Sequence, residues 1–473
     1  MGNTKMEIYN RMPRPARSIA ATLRGVYLWW WRYGPHAEQL VEQALEREKW
    51  SLHRWKTWQE GRLAYVLHRA ATQVPYYHEQ WAARRARGDR ASWEILDNWP
   101  ILSKDPLREK PHRFVAEDCD IRRMFHAQTS GTTGTPLDLW RSRETLRAWY
   151  ALFEARCRRW HGVSRHDNWA ILGGQLVTPV AQQQPPFWVW NAAMNQLYLS
   201  SNHVRRENIP AYIDALSRYS IAHLVSYTSS ACALAREALD LGIRATGLKV
   251  VITNAEPVFP WQRDTIAQGF RCDVRETYGM GEIVAAASEC RDGRLHLWPE
   301  VGWLEILGDT EDMAVPRGTS GRLVWTGLLN ADMPLIRYDV GDRGSLVAED
   351  GDCSCGRTLP VFSHIEGRTN DLLITPDGRR VYWVNPVFYG LPVREAQIIQ
   401  EQLESLRVRY VPAPTYSPKT DASIIERLHA RMGPVAVNLE KVNEIPRGPN
   451  GKFRAVISHV ADTDANRDNG RNG

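Results

Sequence analysis

Lysine is scarce in this chain: nine of its 60 basic residues are lysine, so arginine carries most of the positive charge. An isolated lysine inside a motif is therefore informative, because a compact ammonium does what a guanidinium does not. Long apolar runs are missing too. None reaches the roughly 18 residues that a membrane-spanning helix needs. Seven cysteines, an odd number without even spacing, argue against a disulfide-stapled secreted module. The chain start shows no hydrophobic core followed by a small-residue cleavage site, so no signal peptide is expected. The charge excess is small, 60 basic against 54 acidic residues over 473 positions, and too diffuse for a nucleic-acid partner. A soluble, cytoplasmic protein without a transmembrane segment is the expectation.

What is present fits a globular chain: 43% apolar and 24% charged residues, and a length that allows two or three domains of about 150 residues. Tryptophan is abundant, with 20 copies. Val26-Tyr27-Leu28-Trp29-Trp30-Trp31, flanked by arginines, leaves two readings open: a helix packing on its own domain, or a cluster resting at a membrane interface. So many tryptophans make such a cluster unsurprising, which favours the packed helix.

Apolar and aromatic positions recur at three- and four-residue spacings from Ala37 to Arg87, which predicts helices within a mainly helical stretch over 1–100. Ser103 is the expected N-cap of a further helix. From Phe125 onward, short apolar segments alternate with helical stretches: Trp169-Ala170-Ile171-Leu172, His223-Leu224-Val225 and Leu248-Lys249-Val250-Val251-Ile252. That alternation predicts an α/β fold, a large N-terminal domain with parallel-rich sheets. A strand-rich subdomain is expected over 294–365, and a small mixed α+β domain after a junction near Gly367–Asp371. The expected domains are 1–369, 370–460 and a disordered tail over 461–473.

The most informative stretch is Thr129-Ser130-Gly131-Thr132-Thr133-Gly134-Thr135-Pro136, with five hydroxyl residues and two glycines in eight positions. Backbone amides and hydroxyls in such a loop can converge on an anion, although a loop of this composition alone can equally be a linker. It lacks the Gly-Lys-Ser ending of a P-loop. Its order resembles the phosphate loop of the adenylate-forming superfamily: acyl-CoA synthetases, peptide-synthetase adenylation domains and luciferases.

That resemblance implies further motifs in a fixed order, and they are found. Thr277-Tyr278-Gly279-Met280-Gly281-Glu282 resembles the family's Tyr-Gly-x-Thr-Glu, with Gly281 in place of Thr. By this resemblance Tyr278 stacks on adenine and Glu282 holds Mg²⁺ against the phosphates. Asn254-Ala255-Glu256-Pro257 resembles the wall of the adenine pocket. Arg337-Tyr338-Asp339-Val340-Gly341-Asp342 is similar to Tyr-x-Thr-Gly-Asp, with Val340 in place of Thr, and implies that Asp342 binds the ribose hydroxyls. Gly367-Arg368-Thr369-Asn370-Asp371 resembles the hinge motif, with Arg368 on the nucleotide and Asn370 at the pivot. Pro446-Arg447-Gly448-Pro449-Asn450-Gly451-Lys452 matches the segment that delivers a lysine to the carboxylate and α-phosphate. Read singly, Asp342 could be a turn residue and Lys452 an exposed hairpin lysine. Six motifs in family order favour the functional reading.

Within the superfamily the chain most resembles phenylacetate–CoA ligases and the ligase-like proteins of capsule-polysaccharide biosynthesis. The resemblance implies ATP-dependent activation of a small carboxylate to an acyl-adenylate, with pyrophosphate release and acyl transfer to CoA. An amine acceptor, or a non-catalytic capsule-assembly protein keeping the fold, is the alternative. Trp169, Gly173, Gly174, Ser226 and Tyr227 are the candidate acyl pocket, though core packing accounts for Trp169 and Tyr227 as well.

The cysteines divide into two groups. Cys353 and Cys355, one residue apart, join Cys290 and His296 in a Cys₃His set suited to structural Zn²⁺. Four unrelated residues, with the cysteines in a tight turn, is the competing explanation. Cys119, Cys157, Cys232 and Cys272 are scattered and read as buried thiols.

Overall fold

A computed structural model describes residues 8–129, 137–175, 177–179, 181–309, 312–348, 353–368, 373–377, 380–381, 385–388, 391–446 and 453–460. It divides into a larger unit, 1–340 with 345–363, and a smaller one, 341–344 with 364 onward. The expected boundary at 369/370 and the tail after 460 lie outside the described residues.

The larger unit opens on helices: α1 (Arg14–Arg32), α2 (Ala37–Arg47), α3 (Leu52–Gln73), α4 (Pro75–Ala86) and the short α5 (Lys104–Glu109). Ser51 caps α3 by accepting from Arg54 N, and Pro75 starts α4, where a missing N–H costs nothing. Ser103 does precede α5, but its side chain makes no capping hydrogen bond. The hairpin β1 (Phe125–Gln128) and β2 (Asp138–Arg141) brackets the hydroxyl-rich loop and leads into α6 (Arg143–Phe153).

A 12-stranded sheet, all but residues 341–344 and 364–368, lies in this unit. One half is parallel and carries the segments expected as strands: β3 (Trp169–Gly173), β6 (His223–Tyr227), β7 (Val250–Asn254) and β8 (Asp273–Gly279), with β5 (Gln196–Ser200) beside β3. Helices α7 (Ile209–Arg218), α8 (Thr228–Asp240) and α9 (Pro260–Phe270) are the connections between them. β4 (Trp188–Asn191) closes that edge in antiparallel pairing. Strands such as β7 are apolar along their length because both faces are covered.

The other half continues from β8 through β9 (Ala286–Glu289) and β10 (Leu295–Leu297) to β14 (Val361–Arg368), β13 (Tyr338–Leu346), β12 (Gly321–Gly327) and β11 (Gly302–Leu307). The pairings β8/β9, β9/β10, β10/β14 and β11/β12 are antiparallel, which is the strand-rich region expected from sequence.

Helix α6 runs on into a π-helical turn, Glu154–Arg158, whose charged side chains are buried. Arg156 places both Nη atoms on Glu300 at 2.8 Å and its Nε 3.4 Å from Glu48. Glu48 also accepts from Arg357 Nε at 2.9 Å and from Trp160 Nε1 at 2.9 and 3.0 Å. Burial raises the Glu48 pKa and the two arginines oppose it. Breaking such a buried set by removing one partner typically costs about 3–5 kcal/mol.

The smaller unit holds the pair β15 (Leu373–Ile374) and β16 (Arg380–Val381) and a four-stranded sheet. In that sheet β17 (Val393–Gln402) and β18 (Ser405–Pro412) are antiparallel, while β19 (Ala436–Lys441) and β20 (Val456–Ser458) flank them in parallel. Helix α10 (Pro418–Met432) buries Ile424, Leu428 and Met432 in one cluster with Ile398, Leu406 and Val408. It is a small mixed α+β body, as expected.

Candidate functional site

In a parallel sheet every strand presents its carboxyl end on the same edge, and ligands of open α/β folds bind there. The register aligns Leu172 with Ser226, Tyr227 with Asn254, and Thr253 with Glu276. Gly173, Tyr227, Asn254 and the Thr277–Gly279 segment therefore end on one edge. At its end β7 turns through Ala255 with φ 63°, a left-handed conformation rare for a residue with a Cβ.

Local bonds shape this edge. Thr277 Oγ1 donates to Thr253 O at 2.7 Å, tying β8 to β7. Glu256 accepts from Ser229 N at 2.7 Å and from Ser229 Oγ at 3.0 Å, so its carboxylate sits at the first turn of α8. Ser226 Oγ donates to Leu172 O and Tyr227 O, which commits that hydroxyl to the backbone. Tyr227 packs near Gly174, whose backbone N–H hydrogen-bonds to the phenol oxygen. Tyr278 meets Phe362 edge-on, with ring centroids 5.8 Å apart.

The base of the hydroxyl-rich loop is pinned twice. Thr129 N donates to Leu137 O at 3.0 Å, and Leu137 N donates to Thr129 Oγ1 at 2.9 Å. A Cβ added at Gly281 would stand 3.0 Å from Thr129 Cγ2, so the missing side chain at 281 lets the two segments close up. Glu282, next along, accepts from the Tyr338 hydroxyl at 2.9 Å through Oε1; Oε2 has no hydrogen-bond partner among the described residues. Ile283 follows with φ 50°, an outlier for a buried β-branched residue, so the turn that presents Glu282 is held under strain.

Arg141, at the end of β2, was not singled out from sequence. It donates to Gly281 O, while its Nε is buried without a partner among the described residues. Desolvation pulls its pKa down, and Tyr150 and Glu282 oppose that. Glu276 was missed as well. Burial pushes its pKa up to about 7, with Glu289 adding to the rise and Arg263 opposing it.

Not every candidate reaches the edge. Trp169 begins β3, about 13 Å of strand from Gly173. It is buried, its Nε1 donates to Met194 O at 2.9 Å, and its ring stacks on His223. The core reading holds for that tryptophan. Asp342 is buried on β13, in the segment grouped with the smaller unit. Ser130, Gly131, Thr132, Thr133, Gly134 and Thr135, the side chain of Arg368, Asn370 and Lys452 lie outside the described residues.

A second cluster is complete. Cys290, His296, Cys353 and Cys355 place one ligand atom each within 4.8 Å of all the others. Cys290 Sγ and Cys353 Sγ are 3.7 Å apart, and Cys355 Sγ is 3.5 Å from His296 Nε2. Tetrahedral zinc, with Zn–S of about 2.3 Å and Zn–N of about 2.0 Å, needs edges of roughly 3.7 and 3.5 Å. His296 Nδ1 is 3.1 Å from Leu359 O, which leaves Nε2 facing Cys355 Sγ. Of the other cysteines, Cys157 and Cys232 are buried as expected, whereas Cys119 and Cys272 are only half-buried. Cys119 Sγ, for one, faces the Arg69 guanidinium at 3.4 Å.

Thr129, at the base of the hydroxyl-rich segment, thus closes on Gly281 next to Glu282, and the fold around this edge is similar to that of adenylate-forming enzymes. Residues 373–459 match the CapK C-terminal domain. The chain is 25% identical to Protein CapK of Staphylococcus aureus over 472 residues, 96% of this chain and 99% of that one. It is 28% identical to phenylacetate-coenzyme A ligase of Thermus thermophilus, over 44% of this chain and 54% of the relative. Among solved structures, 2-hydroxyisobutyryl-CoA ligase in the postadenylation state superposes with a TM-score of 0.68 at 19% identity, covering 89% of this chain and 94% of that one. These similarities support the adenylate-forming superfamily for this chain.

Proposed function

We propose that the protein activates a small carboxylic acid with ATP, forming an acyl-adenylate and releasing pyrophosphate, and then transfers the acyl group to CoA. The observation that carries this reading is the closure of Thr129 on Gly281 beside Glu282, at the carboxyl edge of the parallel sheet. Relatives named as CoA ligases support it. Tyr278 would lie along adenine, Asn254–Pro257 would wall it, Asp342 would accept from the ribose hydroxyls, and Arg368 would contact the nucleotide. The loop from Thr129 to Thr135 would donate to the phosphates, and Gly173, Gly174 and Tyr227 would bound the acyl group.

A half-buried carboxylate with one oxygen fixed by a phenol suits a hard cation, so Glu282 is the residue that would hold Mg²⁺. When bound, Mg²⁺ supplies charge neutralisation on the phosphate oxygens. Lys452 would stabilise charge on the carboxylate and α-phosphate during adenylation, delivered as the small domain (370–460) turns about Asn370. The Cys₃His cluster would hold a structural Zn²⁺, and a cytoplasmic location suits ATP and CoA.

Carboxylate-dependent exchange of labelled pyrophosphate into ATP tests the adenylation reading, and a screen of acids in that assay identifies the substrate. No exchange with any acid would favour the capsule-assembly alternative. Product analysis with CoA or with amines as the sole acceptor decides between thioester and amide formation.

A further inference from the structure

The outward face of α1 is apolar along its whole length. Among the described residues there are 13 exposed large hydrophobic side chains, and seven of them fall between Ile8 and Trp30. Ile19, Leu23, Val26 and Trp30 follow the four-, three- and four-residue steps of one helix face, with Tyr27 and Trp29 on its flanks. Leu23 is 67% exposed, Ile19 62% and Val26 53%. The opposite face is docked: Arg17, Gly25, Leu28 and Trp31 are buried. A Cβ at Gly25 would come 2.0 Å from Asn191 Oδ1, so the helix lies hard against β4 and its outer stripe is held outward.

Charge says what covers that stripe. Between Ile8 and Ala37 there are five arginines (Arg11, Arg14, Arg17, Arg24 and Arg32) and no acidic residue. Arg122 and Arg123 are exposed just before Phe125, whose ring packs on Tyr27 and Trp31. Arg24 lies over the Tyr27 ring and Arg143 over that of Trp30. A protein partner would need an acidic surface around an apolar strip. A bilayer with anionic headgroups offers both at once, and tryptophan and tyrosine suit the headgroup level. No helix among the described residues is long and apolar enough to cross a membrane.

We propose that the outer face of α1 docks the protein on the surface of anionic membranes, with Ile19, Leu23, Val26 and Trp30 seated at the acyl boundary and the exposed Arg11, Arg14 and Arg24 among the headgroups. This proposal does not rest on the adenylation reading. The test is flotation of the full chain with phosphatidylcholine vesicles, with and without phosphatidylglycerol. The wild type should float with the phosphatidylglycerol vesicles, less at high salt, and stay behind with phosphatidylcholine alone. The Leu23→Glu/Val26→Glu double variant should float at least roughly tenfold less. Arg14→Gln/Arg24→Gln, which leaves the apolar stripe intact, should show the same loss in milder form and guards against a misfolded double variant. Failure of the wild type to float, or equal flotation of wild type and both variants, overturns the proposal. Self-association of a wild type that does not float, lost in the double variant, would make this face an interface between copies and overturn it too.

Discussion

The hydroxyl of Tyr338 donates to Oε1 of Glu282 at 2.9 Å inside the larger unit, which couples the Thr277–Glu282 motif to the Arg337–Val340 stretch. Burial and the neighbouring carboxylate push the Tyr338 pKa far above its ordinary value, so the phenol remains a donor throughout the working pH range. The hydrogen bond fixes the carboxylate and leaves its charge on the second oxygen. Glu282→Gln keeps the shape and loses the charge, and should lose most adenylation and weaken ATP binding in the presence of Mg²⁺. Tyr338→Phe frees the carboxylate and should cost about tenfold in adenylation, the value of one hydrogen bond to a charged group. Wild-type exchange rates in Glu282→Gln would remove that residue from the metal role.

Glu276 gives a pH dependence. Its carboxyl titrates at about 7 in the fold against an ordinary value of 4.5, so the folded protein holds this proton more tightly than the unfolded chain. Stability from this group is greatest at low pH and is lost as pH rises from about 4.5 through about 7. Glu276→Gln removes the penalty and should raise the melting temperature above about pH 8, by on the order of 2 kcal/mol in stability. The difference from wild type should close toward about pH 4. A variant that melts below wild type at both ends would show that the carboxylate is needed where it stands.

Much of this was legible in the sequence. The strands at Trp169, His223 and Val250 announce themselves as short apolar runs, because a parallel strand is covered on both faces. For the same reason the apolar run does not say which end of a strand faces the ligand edge, and Trp169 went to the wrong end of β3. Nothing in the sequence marks Glu154, Arg156 and Arg158 as buried, because charge in a helix is usually exposed. A π turn and long-range partners at Glu48 and Glu300 bury them instead. Arg141 carries no motif at all; its place beside Gly281 comes from a hairpin register.

The Cys₃His cluster should hold metal as purified. Elemental analysis should find about one Zn²⁺ per chain. Cys353→Ser should lower zinc content and melting temperature together, since the 353–358 segment also carries Arg357 and Thr358 onto Glu48. Cys119→Ser, far from the set, should leave zinc unchanged. A metal-free wild type as stable as the protein after zinc is added would sink the assignment.

Lys452 separates the two half-reactions. If it acts only while the carboxylate attacks the α-phosphate, its ammonium stabilises charge that develops in that step and no other. Loss of such a preorganised charge costs about 3–4 kcal/mol or more, so Lys452→Ala should lower acyl-adenylate formation by several hundredfold or more. ATP affinity should change little, because the phosphate loop, Tyr278 and Glu282 remain. Supplied with chemically made acyl-adenylate, the same variant should still pass the acyl group to the acceptor at close to the wild-type rate. A lysine that merely supports the fold would lower both steps together and shift the melting curve. Equal loss in both half-reactions would therefore count against a lysine delivered for one step, and no loss in either would end that role.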